Sequence, residues 1–103
     1  MMTDTIDEVK IDEKIKVTIS EPSKYKVVML NDEVTPMEWV IDLMKLVFNH
    51  SQETAEKLTL TIHSEGSAVV GIYTYEIAEQ KSVESVNASR ERGFPLQLRL
   101  DKE

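Results

Sequence analysis

The sequence predicts a small α+β domain in the order β-α-α-β-α-β, with a three-stranded antiparallel sheet and three helices packed on one face. Three observations carry that expectation. Segments 25–30, 67–73 and 96–100 have strand composition, and the last alternates apolar and polar residues cleanly. Between them lie stretches with helix-start and helix-stop residues around apolar positions at helical spacing. A length of 103 residues with a 41% hydrophobic share builds one core and leaves no room for two of ordinary size.

The chain opens differently from the rest. Residues 1–24 carry ten charges and no aromatic residue, and they close on Glu21-Pro22-Ser23-Lys24, so they read as a flexible extension. Ile15-Lys16-Val17-Thr18-Ile19 alternates as an extra strand would, which is the competing reading of that stretch. The folded domain is expected over 25–103. Tyr25-Lys26-Val27-Val28-Met29-Leu30 is the first strand, and Asn31-Asp32-Glu33 stops it with turn chemistry.

Thr35 as N-cap, Pro36 at the first helical position and Glu38 three residues after the cap form a capping box. Met37, Val40, Ile41, Met44, Val47 and Phe48 then recur at helical spacing, and Asn49-His50 closes the helix. Ser51 caps a second helix, with Glu53 and Glu56 near its positive end and Gly66 as its stop. Its apolar stripe is Ala55, Leu58 and Ile62, and the short link makes the pair an αα-hairpin. The second strand covers Ser67 to Tyr73. Thr74 is placed to cap a third helix from about Tyr75 to Arg92, with a thin stripe of Ile77, Ala78, Val83 and Val86. Gly93 ends that helix and Pro95 forbids its continuation. Leu96-Gln97-Leu98-Arg99-Leu100 is the third strand. Lys26, Gln97 and Arg99 are expected on a partly solvated opposite sheet face.

Composition narrows the function. Twelve Lys and Arg against nineteen Asp and Glu give a net charge of −7, the wrong sign for a nucleic-acid surface. Cysteine is absent, which removes disulfides, thiolate metal sites and cysteine nucleophiles. No apolar run approaches the roughly 18 residues of a membrane span, and Met1-Met2-Thr3-Asp4-Thr5 lacks the basic and apolar regions of a signal peptide. A soluble cytoplasmic domain is expected.

Catalytic motifs are missing as well. The two histidines have no acidic partner at metal-ligand spacing, and there is no phosphate-binding glycine loop or nucleophile elbow. His50 reads as a helix-end surface residue. His63 lies beside Ile62 at the end of an amphipathic helix, where an isolated histidine is more often structural than functional. Asn31-Asp32-Glu33 supports two readings: a turn closed by its own side chains, or an acceptor-rich rim able to hold a cation such as an amine. The residues alone leave both open.

The segment Tyr25-Lys26-Val27-Val28-Met29-Leu30-Asn31-Asp32-Glu33-Val34-Thr35-Pro36-Met37-Glu38-Trp39-Val40 resembles the signature of the ClpS adaptor family. Ile62-His63-Ser64-Glu65-Gly66, then Gly71-Ile72-Tyr73-Thr74-Tyr75-Glu76-Ile77-Ala78-Glu79, then Pro95-Leu96 continue it in order, so that it spans residues 25 to about 101. The resemblance implies a non-enzymatic, monomeric adaptor of the bacterial cytoplasm without cofactor, metal, nucleic acid or membrane. Such a protein binds proteins whose first residue is Leu, Phe, Tyr or Trp and hands them to a ClpA-type or ClpC-type AAA+ unfoldase and the ClpP peptidase. It further implies that Asn31, Asp32 and His63 hold the substrate α-amino group, and that Glu33 and Thr35 line the site. Pro36, Met37, Val40, Thr59, Ile62 and Leu96 would surround the first side chain. Glu76, Glu79 and Lys81 would dock on the unfoldase N-domain, which also engages the extension.

Spacing agrees with part of this. Met37 and Val40 are three apart and share one side of the first helix, as Thr59, Ile62 and His63 share one face of the second. Three positions depart from the family pattern. Glu33 stands where Asp is common, Val34 where an aromatic is frequent, and Thr59 where Met is frequent at the pocket rim. A ribosome-stalk-like αβ module is the competing architecture, and it would not need the Asn31, Asp32 and His63 triangle.

Overall fold

A continuous apolar run suits a central strand covered on one face and partly on the other, and Val27, Val28 and Met29 are all buried. Residues 22–103 are described by the structure, a computed structural model; of the expected extension over 1–24, residues 1–21, with the alternating segment 15–19, lie outside them. β1 (Lys24–Leu30) opens one residue before the expected start and lies between β2 (Ser67–Thr74) and β3 (Gln97–Lys102), antiparallel to both. Tyr25, Val27 and Met29 align with Tyr73, Gly71 and Ala68 on one side and with Lys102, Leu100 and Leu98 on the other. That row faces the helices, and Val27 and Met29 are fully buried. The opposite row carries Lys26, Val28 and Leu30 with Gln97, Arg99 and Asp101; Gln97 and Arg99 are exposed, as expected, and Lys26 is half-buried.

The β1–β2 register slips between Val27 and Val28, so Val70 has no partner across the ladder. This one-residue bulge turns Val70 into the core, where it is 1% exposed. Gly71 follows because the Tyr73 ring lies over it; a Cβ there would fall inside van der Waals contact of the ring. Tyr73 in turn packs against Phe48, with ring centroids 6.5 Å apart.

The helices are α1 (Met37–Leu46), α2 (Gln52–Glu65) and α3 (Tyr75–Glu91). Val40, Leu43 and Met44 of α1, Ala55 and Ile62 of α2 and Ala78 of α3 join the sheet residues in one core cluster. α2 forms as its sequence dictates: Ser51 Oγ accepts the Thr54 N–H at 3.2 Å, and Gly66 closes the helix at φ 93°.

Three local expectations are corrected. Thr35 does not cap α1. The helix begins after Pro36, and the Thr35 hydroxyl donates to Asp32 Oδ2 at 2.8 Å. The charged acceptor orients the hydroxyl back toward Asp32, and the helix starts one residue later, with Pro36 at the cap and no side-chain capping bond. α1 also ends at Leu46, earlier than Asn49-His50. Val47 and Phe48 remain buried, and Asn49 adopts φ 60°, a left-handed geometry asparagine tolerates.

The third correction concerns α3. Ile77 and Val83 of its expected stripe are exposed, and the buried positions are Ala78, Ser85 and Ser89. These small residues share one helix face and let α3 approach all three strands closely. Their hydroxyls are satisfied within the helix, Ser85 donating to the Lys81 carbonyl at 2.9 Å and Ser89 to the Ser85 carbonyl at 2.7 Å.

Candidate functional site

A strand that ends in Asn-Asp beside a glycine-capped helix leaves backbone groups to be paired, and their pairing builds the site. The Asn31 N–H donates to the Gly66 carbonyl at 2.9 Å, while the Gly66 N–H donates to the Ile62 carbonyl at 2.9 Å. The turn after β1 is thereby fastened to the last turn of α2. His63 sits in that last turn, exposed, three residues before Gly66. The structure thus brings Asn31, Asp32 and His63 to one end of the molecule.

Asp32 is held by its own turn. Oδ1 accepts the N–H groups of Val34 at 2.8 Å and Thr35 at 2.7 Å, and Oδ2 accepts the Thr35 hydroxyl. Burial pushes its carboxyl up, but these bonds, Thr35 foremost, outweigh that and hold it below its ordinary value. The group is therefore an oriented anion at neutral pH. Of the two readings of Asn31-Asp32-Glu33, the closed turn describes Asp32. The same bonds hold the carboxylate in one orientation, with acceptor capacity left on Oδ2. Glu33 is exposed beside it.

The apolar residues divide by burial. Val40, Ile62 and Leu96 belong to one core cluster, drawn from α1, α2 and the turn before β3. Pro36 is exposed and Met37 is 39% exposed, so the first turn of α1 brings apolar surface to solvent next to the Asn31–Asp32 turn. Thr59, expected at a rim, is only 2% exposed, and its hydroxyl donates to the Ala55 carbonyl at 2.8 Å. That bond satisfies the hydroxyl inside α2, so Thr59 contributes a short, internally paired side chain.

On α3, Glu76 and Glu79 line a shallow groove with Gln80, Val83 and Glu84, giving an acidic surface with an apolar centre. Lys81 is not on it as a free charge. Its Nζ donates to the Val47 carbonyl at 2.6 Å and lies 5.3 Å from the Tyr73 ring centroid. The basic member of the expected docking set is a half-buried tie between α3 and the end of α1.

Trp39 received no role from its sequence. It is half-buried on α1, and its Nε1 donates to Ser89 Oγ at 2.8 Å across a separation of fifty residues. Its uniqueness in the chain is the one sequence signal that marks it. Among the described residues, no group of three or more His, Asp or Glu is placed to hold a metal ion. No helix among them is long and apolar enough to cross a membrane.

Comparison with known proteins adds what geometry cannot. Residues 20–99 match the family described as ATP-dependent Clp protease adaptor protein ClpS. An ATP-dependent Clp protease adapter protein ClpS from Sodalis glossinidius is 43% identical over 101 residues, covering 97% of this chain and 95% of that protein. One from Treponema denticola is 44% identical over 82 residues, covering 80% of this chain and 81% of that one. Among solved structures, Agrobacterium tumefaciens ClpS2 bound to L-phenylalaninamide superposes with a TM-score of 0.78 at 41% identity, over 81% of this chain and 100% of that chain.

Proposed function

The chain belongs to the ClpS family of ATP-dependent Clp protease adaptors, and from that premise we propose that it captures proteins bearing an N-terminal Leu, Phe, Tyr or Trp and delivers them to a ClpA-type or ClpC-type unfoldase for degradation by ClpP. The observation that carries this reading is the Asn31–Gly66 bond, which fastens an oriented carboxylate turn to the helix end bearing His63, beside the apolar first turn of α1. A free α-amino group needs an anion and neutral acceptors. Asp32 supplies the anion, and the Asn31 amide and His63 imidazole supply the acceptors. The first side chain then lies against Pro36 and Met37 and reaches toward Val40, Ile62, Leu96 and the base near Thr59. Glu33 and Thr35 shape the rim. The relative bound to L-phenylalaninamide supports the same chemistry, because that ligand is a free α-amine next to one bulky apolar side chain.

The magnitudes fit a carrier that must release its cargo. Burying one Leu or Phe side chain contributes about 1.5–3 kcal/mol, and two or three charge-assisted hydrogen bonds contribute about 1.5–3 kcal/mol each. Ordering the substrate end and losing its free motion costs several kcal/mol, so only part of that gain is left as affinity and the cargo can be released. Glu76 and Glu79 on the outer face of α3 would meet the unfoldase, away from the peptide site. The test is a peptide series that varies only in its first residue, each member also N-acetylated. Binding of the four free-amine peptides and its loss on acetylation is expected; equal binding of acetylated peptides excludes amine recognition.

A further inference from the structure

Trp39 is the chain's single tryptophan, and one distant segment fixes its indole from three sides. Nε1 donates to Ser89 Oγ at 2.8 Å, the Arg92 guanidinium lies 4.4 Å from the ring centroid, and the Phe94 ring packs with its centroid 6.0 Å away. Ser89 is fully buried, and its hydroxyl is committed both ways, accepting from Trp39 and donating to the Ser85 carbonyl. The turn beyond α3 is rigid in its own right. The N–H groups of Arg92 and Phe94 both donate to the Ser89 carbonyl, at 3.0 and 2.9 Å, and Gly93 sits at φ 82°.

This indole joins two elements that are remote in sequence. Trp39 precedes Val40 and follows Met37 by two residues on α1, while Phe94 precedes Leu96 by two residues in the turn before β3. Sliding α1 along that turn would break the indole N–H bond to Ser89, leaving that buried hydroxyl with only its donation to Ser85, and would also break the cation–ring contact. Core packing of Val40 and Leu96 brings α1 and the turn together, and the four side chains add directional contacts that fix their offset.

We propose that Trp39, clamped by Ser89, Arg92 and Phe94, is a positioning residue that sets the spacing between Val40 and Leu96 and so ranks the first side chains the pocket accepts. This rests on the reading of Met37, Val40 and Leu96 as pocket walls. A bicyclic first side chain needs the widest spacing and Leu a narrower one, so a change in spacing acts on them unequally. The Asn31–Asp32 turn and His63 lie outside the clamp, so amine capture persists when the clamp is weakened.

The experiment measures anisotropy of peptides starting with Leu, Phe or Trp, and thermal melting, on wild type, Arg92→Ala, Arg92→Lys and Ser89→Ala. Arg92 is exposed, so its removal opens no core cavity. The expected result is at least a threefold change in the ratio of Trp-peptide to Leu-peptide affinity in Arg92→Ala and Ser89→Ala, with Arg92→Lys returning it toward wild type. An unchanged ratio in both variants overturns the proposal, as does equal weakening of all peptides in step with a lower Tm; either leaves the pocket reading intact. Failure of wild type to bind any of the three peptides overturns the pocket reading and the proposal with it.

Discussion

Lys81 Nζ donates to the Val47 carbonyl at 2.6 Å, so a side chain from the first half of α3 closes the C-terminal end of α1. A cation at a helix C-terminus satisfies an orphan carbonyl and meets the negative end of the dipole. Lys81→Ala is therefore expected to destabilise the domain by about 1.5 kcal/mol, the low end for a hydrogen bond to a charged group in a half-buried setting. Urea melts measure this. On the proposed docking role, Glu76→Ala with Glu79→Ala is expected to leave stability unchanged and to weaken unfoldase association, separating docking from folding. Lower unfoldase affinity of Lys81→Ala at unchanged stability would support the expected docking role of Lys81.

Asp32 gives a pH dependence whose sign is fixed by its hydrogen bonds. Its carboxyl in the folded protein titrates below its ordinary value of 3.8, through the bonds from Thr35 and Val34 acting against burial. A depressed folded value means its contribution is fully present above 3.8 and lost as pH falls through the lower folded value. The turn should thus hold at every pH above the ordinary carboxylate range, and loosen only below it. Amide exchange or NMR shifts of Val34 and Thr35 between pH 5 and pH 2 report this directly; loosening above pH 5 would contradict it. Asp32→Asn keeps an acceptor for those N–H groups and removes the charge. It is expected to cost peptide binding at least about 2 kcal/mol, roughly thirtyfold, while the turn persists.

The devices legible in the sequence are those whose physics closes within a few residues. Ser51 and Gly66 bound α2 as read, because a cap reaches only one turn. The alternation over 97–100 gives two exposed and two inward side chains. The expected Thr35 cap does not form because Asp32, three residues earlier, draws that side chain into its own turn. The serine face of α3 is invisible to an apolar-stripe search, since what buries Ser85 and Ser89 is close approach to the sheet rather than hydrophobicity. Spacing alone groups Met37 with Val40 and Thr59 with Ile62, but the arrival of Leu96 beside them depends on the whole of β2 and α3. Lys81 to Val47 and Trp39 to Ser89 are contacts of the same long-range kind, and no local pattern announces them.

The proposed N-terminal extension is expected to serve delivery and not capture. Residues 1–20 lie outside the described residues, and the described sheet, helices and candidate site are all formed by later ones; deleting residues 1–20 tests the proposed division of labour. Peptide affinity is expected to stay the same, and degradation of a Leu-starting substrate by the unfoldase and peptidase is expected to fall. The paired measurement is anisotropy for binding and substrate loss for delivery. Full-rate degradation by the truncated chain would reduce the extension to a linker remnant.

Thr59 tests whether a buried residue gates first-residue choice. Its hydroxyl is spent on the Ala55 carbonyl, so Thr59→Val, nearly the same shape, is expected to leave peptide affinities unchanged. Thr59→Met is different: the side chain grows by two atoms of reach from a position with 2% exposure, and it can extend only toward the pocket or into the core. If it enters the core, overpacking lowers stability by about 1–3 kcal/mol. If it enters the pocket, it narrows the space where the second branch of an Ile or Val first residue would lie close to the backbone and cannot turn away. The added wall also packs on Leu or Phe, strengthening them by about 0.5–1.5 kcal/mol, the scale of one or two methylenes. The Leu-to-Ile affinity ratio is thus expected to rise in Thr59→Met and to stay at the wild-type value in Thr59→Val. Ile62, one turn on and equally buried, is the side chain that could already fill the gap. Equal ratios in wild type and Thr59→Met would assign the gate to Ile62 and remove it from Thr59.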